Sequence, residues 1–366
     1  MMNTFGKRFR VTTYGSSHGK EIGVEITGCP SGLEISLNNI QQELDRRKPG
    51  QSLVSSQRKE EDKEEILSGI INGKTTGETI KLRILNKDVD LSGYKELEYK
   101  PRPGHADFTC YRKYGDWYAF DRTGGRMTAC IVMAGAVAKK LLEKYNIDIF
   151  AHSLEIAGIR SNKSYYQDFE LTEIRNYKGL IESNPVKCID TEIAKEMERA
   201  ILKAKEKGDS VGGIVEVIAN GVPIGLGEPN HNRLDASLSF GFESIPAAIS
   251  TFIGNPERIR MFGSESNDQF YLEKGEVRTR TNYCGGILGG ISNGMPIVAS
   301  VGFKPTPSIV KEQQTVDLEK MEETLIRIKG RHDSCIVPRA VSVVEAITSL
   351  VLADHIILAG IIPRKL

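Results

Sequence analysis

Glycine- and proline-rich turns cut this chain into short alternating runs and long helical patterns that never settle into a strand–helix–strand rhythm. That irregularity constrains the fold most. A doubly wound parallel sheet needs regular helical crossovers, whereas hairpins and independent helices give an α+β arrangement. No G-x-G-x-x-G follows a strand pattern and no G-x-x-x-x-G-K-[ST] occurs, so dinucleotide and P-loop readings are weak. There is no solenoid-period repeat and no sharp break in composition, and residues 1–366 are expected to form a single domain.

The periodicity predicts strands over 7–13, 24–27, 79–85, 148–159, 214–218 and 297–301. Helices are expected over 129–145, 191–207, 319–329 and 343–358, and in part of 234–249, which Pro246 interrupts. Ser36 can cap a helix through Leu37, Ile40 and Leu44 that Pro49-Gly50 ends. Residues 162–187 read as irregular and polar.

With 49 basic and 48 acidic residues the net charge is +1, so no global field draws the chain to nucleic acid or membrane. Neither is an expected partner, and any anion binding must be local. The first residues lack a long apolar stretch, and no run reaches the ~18 apolar residues of a membrane span. Six scattered cysteines include no C-x-x-C, so no metal site is expected, and reduced cytoplasmic thiols fit best.

The chemistry gathers in turns. Arg102-Pro103-Gly104-His105-Ala106-Asp107, with Lys113-Tyr114-Gly115 and Gly124-Gly125-Arg126 after it, sets a histidine and cations among glycines. Glycine lets backbone approach a ligand, histidine exchanges protons near neutral pH, and arginine holds anions. A solvated surface turn is the plain alternative. His18 sits in Gly15-Ser16-Ser17-His18-Gly19, between two strand patterns, and reads as an active-site edge or a polar hairpin tip.

Asp45-Arg46-Arg47-Lys48 reads as an anion clamp joined by Arg58, or as cations complementing a helix C-terminus. Gly124-Gly125 before a helix suits an anion, or simply begins the helix. Arg331-His332-Asp333 is a third proton-handling turn. Lys304-Pro305-Thr306-Pro307-Ser308 can hold a phosphate or a polar ring edge. Together these residues suggest acid–base chemistry on an anionic small molecule.

Taken in order, the motifs resemble those of the chorismate synthase family. They are Gly15 to Gly19, Pro30-Ser31-Gly32, Asp45 to Ser52, Arg102 to Asp107 with Lys113-Tyr114-Gly115, Val211-Gly212-Gly213, Gly225-Leu226-Gly227-Glu228-Pro229, Leu234-Asp235-Ala236, Ser264-Glu265, Gly285 to Gly294, Lys304-Pro305-Thr306 and Gly330 to Asp333. The resemblance implies a β-α-β sandwich, usually a homotetramer. The implied reaction is FMN-dependent 1,4-elimination of phosphate from 5-enolpyruvylshikimate 3-phosphate, giving chorismate with no net redox change. Reduced FMN would be the cofactor, and whether NADPH reduces it on this chain is left open.

By resemblance, His18 would protonate the leaving phosphate, His105 would protonate or hydrogen-bond the flavin, and Asp333 would help remove the ring proton. Arg126, Thr128, Ala247, Gly289, Lys304, Thr306, Ser308 and Arg331 occupy flavin-contact slots. Arg46, Arg47 and Arg58 would hold the small phosphorylated substrate. The chain departs from the family pattern at Met127 to Val132, where Cys130 and Ile131 fill an arginine and a glutamate slot, and at Leu53, another arginine slot. An active enzyme and a non-catalytic homologue that keeps the fold are the two readings this leaves.

Overall fold

Two long helices, Thr128–Glu143 and Val337–Leu358, are too apolar to face water, and the chain wraps a sheet against each side of the pair. The computed structural model describes residues 3–56, 61–87, 97–166, 174–328, 330 and 332–366, the side chains of 174–176 excepted.

The first sheet contains Thr4–Phe5 (β1), Arg10–Gly15 (β2), Glu21–Thr27 (β3), Glu64–Ser68 (β4) and Ile80–Leu85 (β5), in the order β1-β2-β3-β5-β4. The second contains Asp148–Ile156 (β6), Ile159–Arg160 (β7), Gly213–Asn220 (β8), Ala248–Ile253 (β9) and Ile297–Phe303 (β10), in the order β9-β10-β8-β6-β7. Every pairing in both sheets is antiparallel. The layers are sheet, helices, sheet, which is the α+β sandwich expected.

The described helices of eight residues or more are Leu37–Arg47 (α1), Asp107–Tyr114 (α2), Thr128–Glu143 (α3), Ile174–Glu182 (α4), Thr191–Glu206 (α5), Leu234–Glu243 (α6) and Val337–Leu358 (α7). Ser36 caps α1 as expected, in a reciprocal box with Asn39. α7 is long and apolar enough to cross a bilayer, but 89% of its apolar window is buried in the core.

α3 and α7 cross closely because Gly135 has no side chain. A Cβ there would meet Ala346 Cβ at 2.3 Å. Gly135→Ala should therefore destabilise the fold by about 1–3 kcal/mol, measured by denaturant unfolding, despite the better helix propensity of alanine.

Three expectations change. Where a helix is expected over 319–329, the described residues 319–328 form none: Gln313–Asp317 and Glu322–Ile326 pair as a hairpin. Leu318, Met321 and Leu325 imitate helical spacing, but the Asp317 carboxylate accepts backbone N–H bonds from Glu319 and Lys320, both at 3.1 Å, and turns the chain. Within 162–187, α4 buries Tyr177 and Ile181 one turn apart. The stretch after Gly104 is less irregular than its glycines suggest, because Asp107 begins α2.

Candidate active site

Loops from both sheets and the N-terminal ends of α2, α3 and α7 enclose a cavity of about 510 Å³. His18, His105 and Asp333 all line it. Also in the lining are Arg47, Arg126, Thr128, Ala247, Lys304, Thr306 and Ser308. Among described residues the wall carries five cationic side chains, Arg47, Arg102, Arg126, Lys304 and Arg339, against three carboxylates, Asp107, Asp121 and Asp333. The local charge therefore favours an anion although the chain as a whole is near neutral.

His18 stands on the turn between β2 and β3. Its ring Nδ1 is bonded to Asp121 Oδ1, and its backbone N–H donates to Asp121 Oδ2 at 2.9 Å. Burial pushes the Asp121 carboxyl up, but the bonds from His18 and Ser16 outweigh it and hold it below the usual carboxylate range.

His105 faces the 304–308 loop. Its Nε2 lies 2.7 Å from Ser308 Oγ, and Lys304 Nζ donates to Gly104 O at 2.7 Å. Gly104 sits at φ +75°, where a Cβ would meet Pro307 at 2.9 Å, so glycine lets the two loops touch. Behind His105, Arg102 grips Asp107 through two bonds of 2.7 Å and lies over the Phe120 ring.

Burial, then the charge of Arg102, lowers the His105 imidazole to about 4; His332 and Lys304 act the same way, and Asp107 opposes them. The ring is thus neutral at pH 7. Its Cε1–H proton resonance should titrate near pH 4 in the ligand-free protein, read by NMR. As pH falls from about 6.5 towards 4 the unfolded chain takes up this proton first, so the ring's contribution lowers stability across that window.

Asp333 accepts from the Ser56 backbone N–H at 2.7 Å and from Arg339 Nη1. Arg339 also donates to Arg47 O at 3.1 Å. Arg47, wholly buried, donates to Thr128 Oγ1 at 3.0 Å, Asp62 Oδ2 at 3.0 Å and Gly125 O at 2.8 Å. Arg126 reaches the other Asp62 oxygen at 2.7 Å and Asn86 at 2.6 Å. Asp62 is therefore the shared counter-ion of two arginines, whose charges hold its carboxyl low against the burial that raises it. Burial, helped by Arg339, brings the Arg47 guanidinium down to about 10.

Two hydroxyls lining the cavity, Ser17 Oγ and Thr306 Oγ1, are buried without a hydrogen-bond partner among the described residues. Ala247 holds φ +70° at the cavity wall. Unmet polar atoms and a strained backbone gathered in one lining mark a polar ligand site. A flavin ring fits the volume and the donor set.

Arg46 is not in the lining. Consecutive residues on a helix face about 100° apart, so Arg47 meets the cavity while Arg46 joins Glu43, Glu182 and Glu345 at 2.6–2.8 Å. Its charge is matched there by carboxylates. Gly289 lies on the hairpin turn between Ile287–Leu288 and Ile291–Ser292, also outside the lining. Arg58 and Arg331 lie outside the described residues.

The unusual 127–131 run leaves the cavity open. Met127 and Ile131 pack against the core, and Cys130 is a buried thiol pushed up to about 12 by its burial. Leu53 points to solvent, 68% exposed. Sequence reasoning missed Asp62, Asp121 and Ser17, and passed over Arg339. Nothing local marks the two aspartates, because each acts on residues far away in the chain.

The fold and cavity define an α+β protein with a cationic cleft lined by histidines and carboxylates. The chorismate synthase family profile matches residues 9–357. The chain is 49% identical to the chorismate synthase of Methanosarcina mazei, over 100% of this chain and 99% of that protein. It is 48% identical to that of Methanocaldococcus jannaschii, over 99% and 98%. A crystal structure of chorismate synthase superposes with TM-score 0.79 at 30% identity, covering 97% of this chain and 93% of that one. The chain belongs to the chorismate synthase family.

Proposed function

We propose that the chain is an active chorismate synthase, a carbon–oxygen lyase that eliminates phosphate and a ring proton from 5-enolpyruvylshikimate 3-phosphate. The observation that carries this reading is that His18, His105 and Asp333, from three distant turns, line one cationic cavity. Of the replaced positions Met127 to Val132 only Thr128 lines that cavity, and Met127, Cys130 and Ile131 pack into or against the core without blocking it.

His18 gives its proton to the departing phosphate: the ring N–H bond breaks as the phosphate O–H bond forms. Asp333 accepts the proton lost from the substrate ring. Arg47, with Arg339 beside Asp333 and with Arg58, balances the phosphate and carboxylates; Arg46 takes no part.

Reduced FMN is the cofactor, held by Arg126, Thr128, Ala247, Lys304, Thr306 and Ser308, with His105 hydrogen-bonding it. When bound it supplies electron density to the substrate and takes it back. Support comes from the two unpartnered hydroxyls and the strained Ala247 in the lining. Gly289 lies outside this lining, and Arg331 is given a flavin contact on the family resemblance alone.

Residues 1–366 act as one domain, and the chain works in the cytoplasm as a homotetramer. The six buried free thiols fit a reducing compartment. Exposed Ile249 and Phe252 on edge strand β9, and Phe270, Leu272 and Val277 on the 270–279 hairpin, fit self-association.

Anaerobic incubation of the purified chain with substrate should release phosphate with reduced FMN and not with oxidised FMN. No release, while the Methanosarcina mazei protein works alongside, would support the non-catalytic reading instead.

A further inference from the structure

We propose that Asp121 is a positioning residue for His18, fixing which ring nitrogen holds the proton that is passed to the ligand. The inference rests on the role given to His18 above.

The geometry is a two-point clamp. One Asp121 oxygen binds His18 Nδ1 and the other accepts the backbone N–H of the same residue at 2.9 Å. The Asp121 backbone carbonyl also accepts from Ser17 N–H at 3.2 Å. The ring Nδ1 and the backbone N–H of His18 are thereby tied to one residue on the Trp117–Arg122 turn. Gly124, three residues on, keeps the two segments close, because a Cβ there would meet Ser17 Oγ at 2.6 Å.

A carboxylate is an acceptor only, so the shared proton is placed on Nδ1. Any proton the ring passes to a ligand then travels through Nε2. A negative carboxylate also stabilises the imidazolium that must exist before transfer. The side chains are 13% and 14% exposed, so water competes little for either group. Asp121 acts on the proton through His18 and needs no contact with the substrate.

A plain structural staple between the two turns would show the same bonds, so the test separates them. Asp121→Asn keeps the shape but can present an amide N–H to the ring. The ring tautomer is read by selective 15N-histidine labelling, manageable with six histidines. In the native chain His18 should carry its proton on Nδ1, and in Asp121→Asn that assignment should be lost.

Turnover should fall about 100-fold or more with KM changed less than about threefold, and Asp121→Glu should recover most of it. Joining Asp121→Asn to His18→Ala should cost no more than His18→Ala alone. An unchanged tautomer in Asp121→Asn, an unchanged kcat, or losses that multiply in the double variant would each overturn the proposal. An inactive native chain would sink the proposed function instead, and the tautomer measurement would still decide the role of Asp121.

Discussion

Replacing His18 with alanine should slow phosphate release by about 100- to 10,000-fold while the protein still melts within a few degrees of the native chain. Breaking the carbon–oxygen bond leaves a further negative charge on the phosphate. An acid within the cavity neutralises that charge as it forms; water would have to do so without orientation. His18 lies on a turn, and its loss removes about one hydrogen-bonded pair from the fold, a cost near 1 kcal/mol. Rate and stability should therefore separate. Turnover is followed by phosphate release, and stability by thermal unfolding. A variant that keeps native turnover would remove His18 from the chemistry.

Asp62→Ala should have the largest effect on stability, about 3–5 kcal/mol. Asp62 is wholly buried and accepts from Arg47 at 3.0 Å and Arg126 at 2.7 Å. Without it two guanidiniums remain in the interior with no shared counter-ion. Removing one partner of such a pair costs far more than the pair contributes, because the desolvation already incurred is no longer offset. Arg47 is also tied to Thr128 and Gly125, so the start of α3 should loosen with it. Denaturant unfolding gives the difference. Lys195→Ala, which removes an exposed pair with Glu192, serves as the comparison and should change little. Equal effects in the two variants would mean that the buried triad is not organising the cavity floor.

These two residues also mark what the sequence made legible. His18, His105 and Asp333 stand on glycine-flanked turns beside cations, and that local chemistry is readable from the chain alone. Their convergence, like the sandwich, is legible only through the resemblance to the chorismate synthase family. Asp62 and Asp121 carry no comparable signal: each is an ordinary acidic residue whose partners lie 15 to 103 positions away. Arg46 and Arg47 look equivalent as a basic pair, and only the rotation of α1 assigns one to the cavity and one to Glu345. The hairpin at 313–326 was hidden for a similar reason. Its apolar spacing matches a helix, while its pairing depends on a turn made by one aspartate.

The proposed reaction needs one cavity to hold the acid, the base and a flavin that is unchanged at the end. The most direct test is an anaerobic single turnover with reduced FMN and 5-enolpyruvylshikimate 3-phosphate, following phosphate, chorismate and flavin absorbance together. Phosphate and chorismate should appear in equal amounts, the flavin should finish reduced, and His105→Ala should slow both products alike. Flavin oxidised in step with product, or phosphate released without chorismate, would contradict the account.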